Sequence, residues 1–402
     1  MRVMIPTDEA EQLIQSAVRP APTERKPLQE ALGRVLREDI VADRDLPPFD
    51  RVAMDGIALR HAAWRAGQRS FMIEGMQRAG EPRRRLRTDH GCLEVMTGAV
   101  LPEGCDCVVP VENIQVTGNE ASLREGFRLQ VWQNVHRKGS DAVQGAVLLA
   151  RGRRIRSAQT AVAASAGYHE VLVDRPPSVA VVATGDELVP IDQTPEAFQI
   201  RSSNSHAIEA ALRWRGYAEV RRFHIPDDLD LLKERLGTIL KEFDVLILTG
   251  GVSMGKKDHV PEVLGELRVE VLFHKVRQRP GKPFWFGKSP WGGPVFALPG
   301  NPVAAQISAH RYVLPYLDQA AGDRETKPRF IQLSRKVTIR TAFTYFLPVR
   351  LTGDPSEALR AEPVFTGGSG DYAALAETDG FVEIPPDTFE VHQDRILPFY
   401  AW

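Results

Sequence analysis

Two runs of small aliphatic residues constrain this chain more than any other feature. Val179–Thr184 passes directly into Gly185-Asp186-Glu187-Leu188, and Asp244–Thr249 passes into Gly250-Gly251-Val252-Ser253-Met254-Gly255. Neither run alternates apolar with polar residues, so each should be buried on both faces, as strands of a parallel sheet covered by helices are. Both end in Thr-Gly, where the backbone must turn out of the sheet. Open α/β sheets bind ligands at those carboxyl ends. Paired acids at one turn and a glycine cradle at the other point to a phosphorylated substrate handled with a metal ion.

At 402 residues the chain should hold two to four domains. Its 43% hydrophobic and 26% charged content is that of a globular protein with an ample core. No apolar stretch reaches the ~20 residues of a membrane span, and Asp8 and Glu9 interrupt the start before a signal-peptide core could form. Cys92, Cys105 and Cys107 are an odd count without zinc spacing, which fits small buried hydrophobes in a reducing cytoplasm. With a formal charge of −1 there is no global footprint for nucleic acid. Charge is nevertheless local: five of the 11 lysines (Lys256, Lys257, Lys275, Lys282, Lys288) fall between 256 and 288, interleaved with glycine turns, which favours an anion pocket.

Residues 1–49 read as a helix from Thr7 as N-cap, a short helix over Leu28–Leu32 stopped by Gly33, and a strand through Val35–Val41. Residues 50–138 show short apolar runs such as Cys107–Val111 and Phe127–Val131, the spacing of an irregular β-rich arm. Residues 139–175, with a small-residue helix over Ser157–Ala166, join 1–49 as a connecting domain. Beyond Pro176-Pro177, over 176–324, strands and helices alternate. These are Val179–Thr184, helix Asn204–Arg215, strand Tyr217–Phe223, helix Leu229–Phe243, strand Val245–Thr249, strand Val269–Val276, and a helix from Pro302. Such alternation means βαβ units and a largely parallel sheet. The tail, 325–402, alternates in period two and should be a small β sandwich or barrel. The fold class is therefore α/β plus β, in several domains.

Asp186 and Glu187 repel each other unless a cation or donor relieves them, and Mg²⁺ bridging to phosphate does so. One acid at such a turn would be ordinary helix capping; two favour function. Gly250 to Lys257 fits Gly-x-x-x-x-Gly-Lys but lacks the Ser or Thr hydroxyl that holds Mg²⁺ in a P-loop, so a P-loop NTPase is rejected. A glycine turn able to bring backbone N–H groups to an anion remains, beside Asp258. Arg279-Pro280-Gly281-Lys282-Pro283 sets two cations on a rigid loop, a credible clamp for a tetrahedral anion. Leu298-Pro299-Gly300-Asn301-Pro302 ends a strand and starts a helix with its N–H groups free for phosphate. In the first half, Asp50, Met54-Asp55-Gly56, Met96-Thr97-Gly98-Ala99, Glu112-Asn113 and Lys138-Gly139-Ser140-Asp141 each read singly as turns. His206, His259, His274 and His310 show no metal-ligand spacing.

Taken together, these motifs resemble the molybdopterin molybdenumtransferase family, the MoeA-type proteins and the related gephyrin E domain. The resemblance runs over nearly the whole chain, from Ala53-Met54-Asp55-Gly56 through Thr97-Gly98-Ala99, Gly139-Ser140-Asp141, Thr184-Gly185-Asp186-Glu187-Leu188, Asn204-Ser205 and Gly250–Gly255 with Asp258, to Pro280-Gly281-Lys282-Pro283 and Leu298–Pro302. It implies an elongated four-domain subunit in a homodimer, the α/β domain of one subunit sharing a site with the N-terminal β arms of the other. It further implies cleavage of adenylated molybdopterin with release of AMP and transfer of molybdate to the dithiolene. Asp55, Thr97, Asp141, Glu187, Asp228, Asp258, Lys275, Arg279, Lys282, Pro299 and Pro302 match positions the family uses. Arg51-Val52, Ile57, Arg279 and Lys256-Lys257 depart from its usual residues, though none removes an acid or an anion-directed glycine.

The mechanism so implied seats Mg²⁺ on Asp186 and Glu187, with Asp228 as a further acid. Lys275, Arg279 and Lys282 hold molybdate and the pterin phosphate. Thr184-Gly185, the cradle Gly250, Gly251, Ser253 and Gly255, and the turn Pro299, Gly300, Asn301 and Pro302 contribute to substrate binding. Molybdopterin adenylyltransferase and molybdoenzyme-maturation proteins are the partners to expect, with neither nucleic acid nor membrane. Two alternatives stand beside this reading: the adenylyltransferase itself, which resembles the α/β domain alone, and a non-enzymatic gephyrin-like scaffold.

Overall fold

The computed structural model describes residues 2–252, 259–324, 328–353, 358–365, 367–368 and 370–402. The chain divides into two compact units, one of residues 1–37, 152–156 and 171–402 and the other of 38–151 and 157–170.

The first unit is built on a seven-stranded sheet of β1 (Arg2–Ile5), β2 (Val179–Thr184), β3 (Val220–Ile225), β4 (Val245–Thr249), β5 (Glu270–Val276), β6 (Trp285–Lys288) and β7 (Pro294–Leu298). The spatial order is β1-β5-β6-β7-β4-β2-β3, and β7, β4, β2 and β3 run parallel. The sheet is not parallel throughout, because β6 opposes both neighbours. The stretch between β6 and β7 is five residues, too short for the crossover a parallel pair needs, and Gly292 at φ 84 turns it as a hairpin.

Burial on both faces is visible residue by residue. Val179, Val181, Val245 and Ile247 pack with α1 (Thr7–Ser16), α2 (Asn204–Trp214) and the later helix α6 (Leu314–Ala321). Ala180, Val182, Leu246 and Leu248 face the other way, onto α3 (Leu229–Glu242) and α4 (Val260–Glu266). Each such Val or Leu contributes about 1.5–3 kcal/mol on burial, so the strand run specifies both layers at once. Helix α5 (Pro302–Ser308) follows β7 and continues through a π-helical turn into α6.

Several local expectations shift. Thr7 lies inside the first turn of α1, with Pro6 at the cap, and its Oγ1 meets Thr344 Oγ1 at 3.0 Å. Leu28–Glu30 is a single 3₁₀ turn, and only Ile40–Val41 of the expected Val35–Val41 strand pairs as one, Val35 and Leu36 making isolated bridges. The strand expected at Tyr217–Phe223 begins at Val220, since the Val220 N–H is drawn back to the Ala218 carbonyl at 3.1 Å.

The C-terminal part of this unit is a closed β barrel. Thr344–Thr352 pairs with both Arg360–Pro363 and Gly380–Ile384, and Arg329–Leu333 and Ile396–Ala401 complete the ring around Leu333, Leu347, Val349, Val382 and Leu397. The second unit centres on a six-stranded sheet ordered Cys107–Pro110, Gly56–Leu59, Gly91–Val95, Ser70–Gln77, Glu120–Leu123, Ile114–Thr117. Phe127–Val131 forms no strand; Leu129 and Phe127 instead pack beneath this sheet. All three cysteines are free and buried here, and burial raises the Cys92 and Cys105 thiols to about 12, so they behave as inert hydrophobes. Among the described residues, no helix is long and apolar enough to cross a membrane.

Candidate active site

Strand register puts the expected residues on one edge. Val182, Leu248, Ala297, Trp285 and His274 form a continuous row across β2, β4, β7, β6 and β5. One step further along, Thr249, Leu298 and Lys275 stand at the carboxyl ends of β4, β7 and β5. Sequence-distant residues thus meet because parallel strands end together.

The turns leaving these strands touch. Gly250 has φ 97 and Gly251 φ 65, and a side chain at Gly250 would place its Cβ 2.5 Å from the Thr184 carbonyl. Gly300 lies 3.6 Å, measured from where its Cβ would stand, from the Gly250 Cα. Close approach of three backbones is what these glycines permit. Asn204 ties them: its Nδ2 donates to Thr249 Oγ1 at 2.9 Å and to the Gly300 carbonyl at 2.7 Å. Thr249 Oγ1 in turn donates to the Pro299 carbonyl at 3.3 Å. Asn301 occupies the N-cap position of α5 and Pro302 its first turn, as the sequence implied. The Thr184 hydroxyl is buried beneath the Gly250-Gly251 turn and has no hydrogen-bond partner among the described residues.

The acids differ from expectation at one position. Asp186 and Glu187 are exposed on the turn after β2. The aspartate grouped with them is Asp227, whose backbone N–H donates to Asp186 Oδ1 at 3.1 Å. Burial, and then the negative charges of Asp186 and Glu187, push the Asp227 carboxyl above its ordinary value. Asp228 is engaged elsewhere: it caps α3, its Oδ1 accepting the Leu231 N–H at 2.8 Å. Among the described residues no three acidic, histidine or cysteine side chains converge as a ready cage for an ion. Asp186 and Glu187 are two exposed carboxylates on one turn, a donor set that leaves most of an ion's ligands to substrate phosphates and water, as Mg²⁺ uses them.

Lys275 sits at φ 73, a left-handed backbone rare for a side-chain-bearing residue, with its N–H donated to the Phe284 carbonyl at 2.8 Å. Such strain concentrates at functional sites. The loop holding Arg279 and Lys282 is braced from below. Gly281 has φ 93 and packs over Gln278, whose Oε1 accepts the Tyr312 hydroxyl at 2.5 Å, while the Lys282 carbonyl accepts the Val276 N–H at 3.0 Å. Arg279 pairs through its backbone with Tyr345 of the barrel, and both cations are exposed. Ser253, Gly255 and Asp258 lie outside the described residues.

In the second unit, segments read singly as turns are tied by hydrogen bonds to distant parts of the chain. Asp55 Oδ1 accepts both the Thr97 N–H at 2.6 Å and the Thr97 hydroxyl at 2.7 Å, and these bonds lower its pKa. Asp50 accepts the Lys138 N–H at 2.9 Å on its side chain and the Leu101 N–H at 2.7 Å on its carbonyl. Asp141 accepts the Ser140 hydroxyl at 3.1 Å, and the Asp141 N–H donates to the Leu46 carbonyl at 2.9 Å. Gly56 is obligatory, since a Cβ there would stand 1.9 Å from the Val109 carbonyl of the neighbouring strand. Glu112 and Asn113 form the 3₁₀ turn that follows, its Val111 N–H donating to the Asp55 carbonyl at 3.0 Å.

Comparison with known proteins accounts for nearly every segment. Residues 5–167 match the family described as MoeA N-terminal region (domain I and II), 180–319 the probable molybdopterin binding domain, and 331–394 the MoeA C-terminal region (domain IV). The chain is 39% identical over 371 residues to the molybdopterin molybdenumtransferase of Synechocystis sp., covering 92% of this chain and 93% of that protein. It is 34% identical over 392 residues to the enzyme of the same name from Staphylococcus aureus, covering 95% and 91% respectively. Its fold is similar to the molybdopterin biosynthesis MoeA protein of Pyrococcus horikoshii, with a TM-score of 0.83 at 26% identity over 99% of this chain and 100% of that one.

Proposed function

The chain belongs to the molybdopterin molybdenumtransferase family, and from that premise we propose that it inserts molybdate into adenylated molybdopterin with Mg²⁺-dependent release of AMP. The observation that carries this reading is the convergence on one sheet edge of Thr184–Glu187, Asp227, Thr249–Gly251, Lys275 and Pro299–Pro302. An anhydride between two phosphates needs charge neutralisation more than a strong protein base. Asp186 and Glu187 would hold Mg²⁺, with Asp227 tied beside them through its N–H to Asp186, and the ion would withdraw charge from the bridging phosphates. The chain's own part is to hold and orient. Lys275, Arg279 and Lys282 offer three cations for the pterin phosphate and molybdate oxygens, each such charged hydrogen bond being worth about 1.5–3 kcal/mol. The Gly251 N–H and those of the first turn of α5 offer backbone donors at the same edge. Asn204 keeps the two turns at a fixed separation, so the phosphates meet a preformed cradle. In the homodimer of this reading, Asp55, with Thr97 fixing its carboxylate, and Asp141 serve substrate held by the other subunit. The functional form in this reading is a cytoplasmic homodimer.

The test is to mix purified protein with adenylated molybdopterin, Mg²⁺ and molybdate and to follow AMP. AMP should appear only with the pterin nucleotide present, and Asp186→Asn combined with Glu187→Gln should suppress it. Wild-type rates in that double variant would remove the metal assignment. Consumption of ATP with transfer of AMP onto molybdopterin would replace the whole reading.

A further inference from the structure

We infer that His224 is a positioning residue for the acid turn: its ring holds the Gly185 carbonyl and so fixes where Glu187 presents its carboxylate to a divalent cation. The inference rests on the metal role proposed above for Asp186 and Glu187. His224 is the penultimate residue of β3, and its Nε2 lies 3.0 Å from the Gly185 oxygen. A carbonyl oxygen only accepts, so Nε2 carries the hydrogen and the ring donates.

The consequence follows from what lies on Gly185. Its φ is 143, and a Cβ there would stand 2.5 Å from Glu187 Oε2, so the Glu187 carboxylate folds back directly over this peptide. Gly185 is thus the floor on which the carboxylate rests, and a glycine floor has no stiffness of its own. The Ile200 N–H donates to the Glu187 carbonyl at 2.8 Å beyond it, and two bonds from the segment ending β3 hold Gly185 and Asp186. One is His224 to the Gly185 oxygen; the other is the Asp227 N–H to Asp186 Oδ1 at 3.1 Å. The Leu188 N–H also reaches the Gly185 oxygen, at a longer 3.4 Å, but it belongs to the turn itself and ties it to nothing outside. His224 therefore acts on the acids through the backbone without touching substrate, and partners that orient metal-binding groups in this way affect metal affinity.

The test compares His224→Leu, which lacks a donor, with His224→Gln, which keeps an N–H. Mn²⁺ affinity is measured by electron paramagnetic resonance, and amide hydrogen exchange of the peptide spanning 185–188 is measured on metal-free protein. His224→Leu should weaken Mn²⁺ binding roughly three- to tenfold, as loss of one hydrogen bond implies, and speed exchange at 185–188, with the melting temperature unchanged. His224→Gln should return both towards wild type. A leucine variant that binds and exchanges like wild type, or a glutamine variant no better than leucine, overturns the inference. If the wild type takes up no Mn²⁺, the metal reading falls, while the exchange comparison still decides whether His224 holds the turn.

Discussion

Asp55 in the second unit and Asp227 in the first are both aspartates in a turn beside a strand, yet their surroundings push them in opposite directions. Asp55 receives two short hydrogen bonds from Thr97, and its charged form is favoured. Asp227 is partly buried beside Asp186 and Glu187, and its charged form is disfavoured. A carboxylate satisfied by its own chain is already in its working position. Carboxylates crowded against one another are held apart from their optimum until a cation arrives. The second unit has an oriented acid, and the first has an acid crowded by two others.

The sharpest way to break this contrast is to remove charge from the cluster. Glu187→Gln with Asp227→Asn should lower AMP release about 10²–10³-fold, the scale of losing electrostatic stabilisation at a reacting group. The same change should leave the melting temperature unchanged or raise it, because like-charge repulsion is relieved. Loss of activity together with loss of stability would mean the acids are structural, and the contrast would fail. Next in size is Gly250→Ala. Its Cβ would collide with the Thr184 carbonyl at 2.5 Å in a left-handed backbone, so chemical denaturation should show a loss of about 2–4 kcal/mol. Asp55→Asn should act in the reverse sense to the cluster variants. It keeps shape but weakens both Thr97 bonds, so melting temperature and activity should fall together, the activity by roughly tenfold.

How much of this was readable beforehand depends on whether a residue's role is set locally. The strands Val179–Thr184 and Val245–Thr249 were legible because aliphatic runs buried on two faces admit few alternatives, and both match to the residue. Helices at Asn204 and Leu229 began where expected for the same reason. The choice between Asp227 and Asp228 was not legible. The two are adjacent and chemically identical, and only the start of α3 decides which one caps the helix and which one turns to Asp186. Asn204 carried a motif signal but no sign that its amide would bridge Thr249 and Gly300, which are 45 and 96 residues away. The bonded acids of the second unit were hidden for a related reason. Asp55 finds Thr97 at a distance of 42 residues and Asp50 finds Lys138 at 88, pairings that no local pattern shows. Phe127–Val131 looked like a strand because local composition cannot tell an apolar plug beneath a sheet from a member of it.

The smallest effect tests the contrast through pH alone. Asp227 has a folded pKa above its unfolded one, so the native state holds the proton more tightly. Its contribution is therefore greatest at low pH and is lost as pH rises from the ordinary aspartate range through the raised folded value. Asp55 has a folded pKa below its unfolded one, so its contribution is present above the ordinary range and is lost as pH falls through the lowered value. Urea unfolding of wild type, Asp227→Asn and Asp55→Asn across that range should separate the two. Asp227→Asn should gain on wild type as pH rises, and Asp55→Asn should lose ground. Saturating Mg²⁺ should flatten the first difference, because the cation replaces the proton as the relief for Asp227, and leave the second untouched. Equal responses of the two variants to pH, or an Mg²⁺ effect on both, would show that the two acids share one environment and that the division between oriented and crowded carboxylates is mistaken.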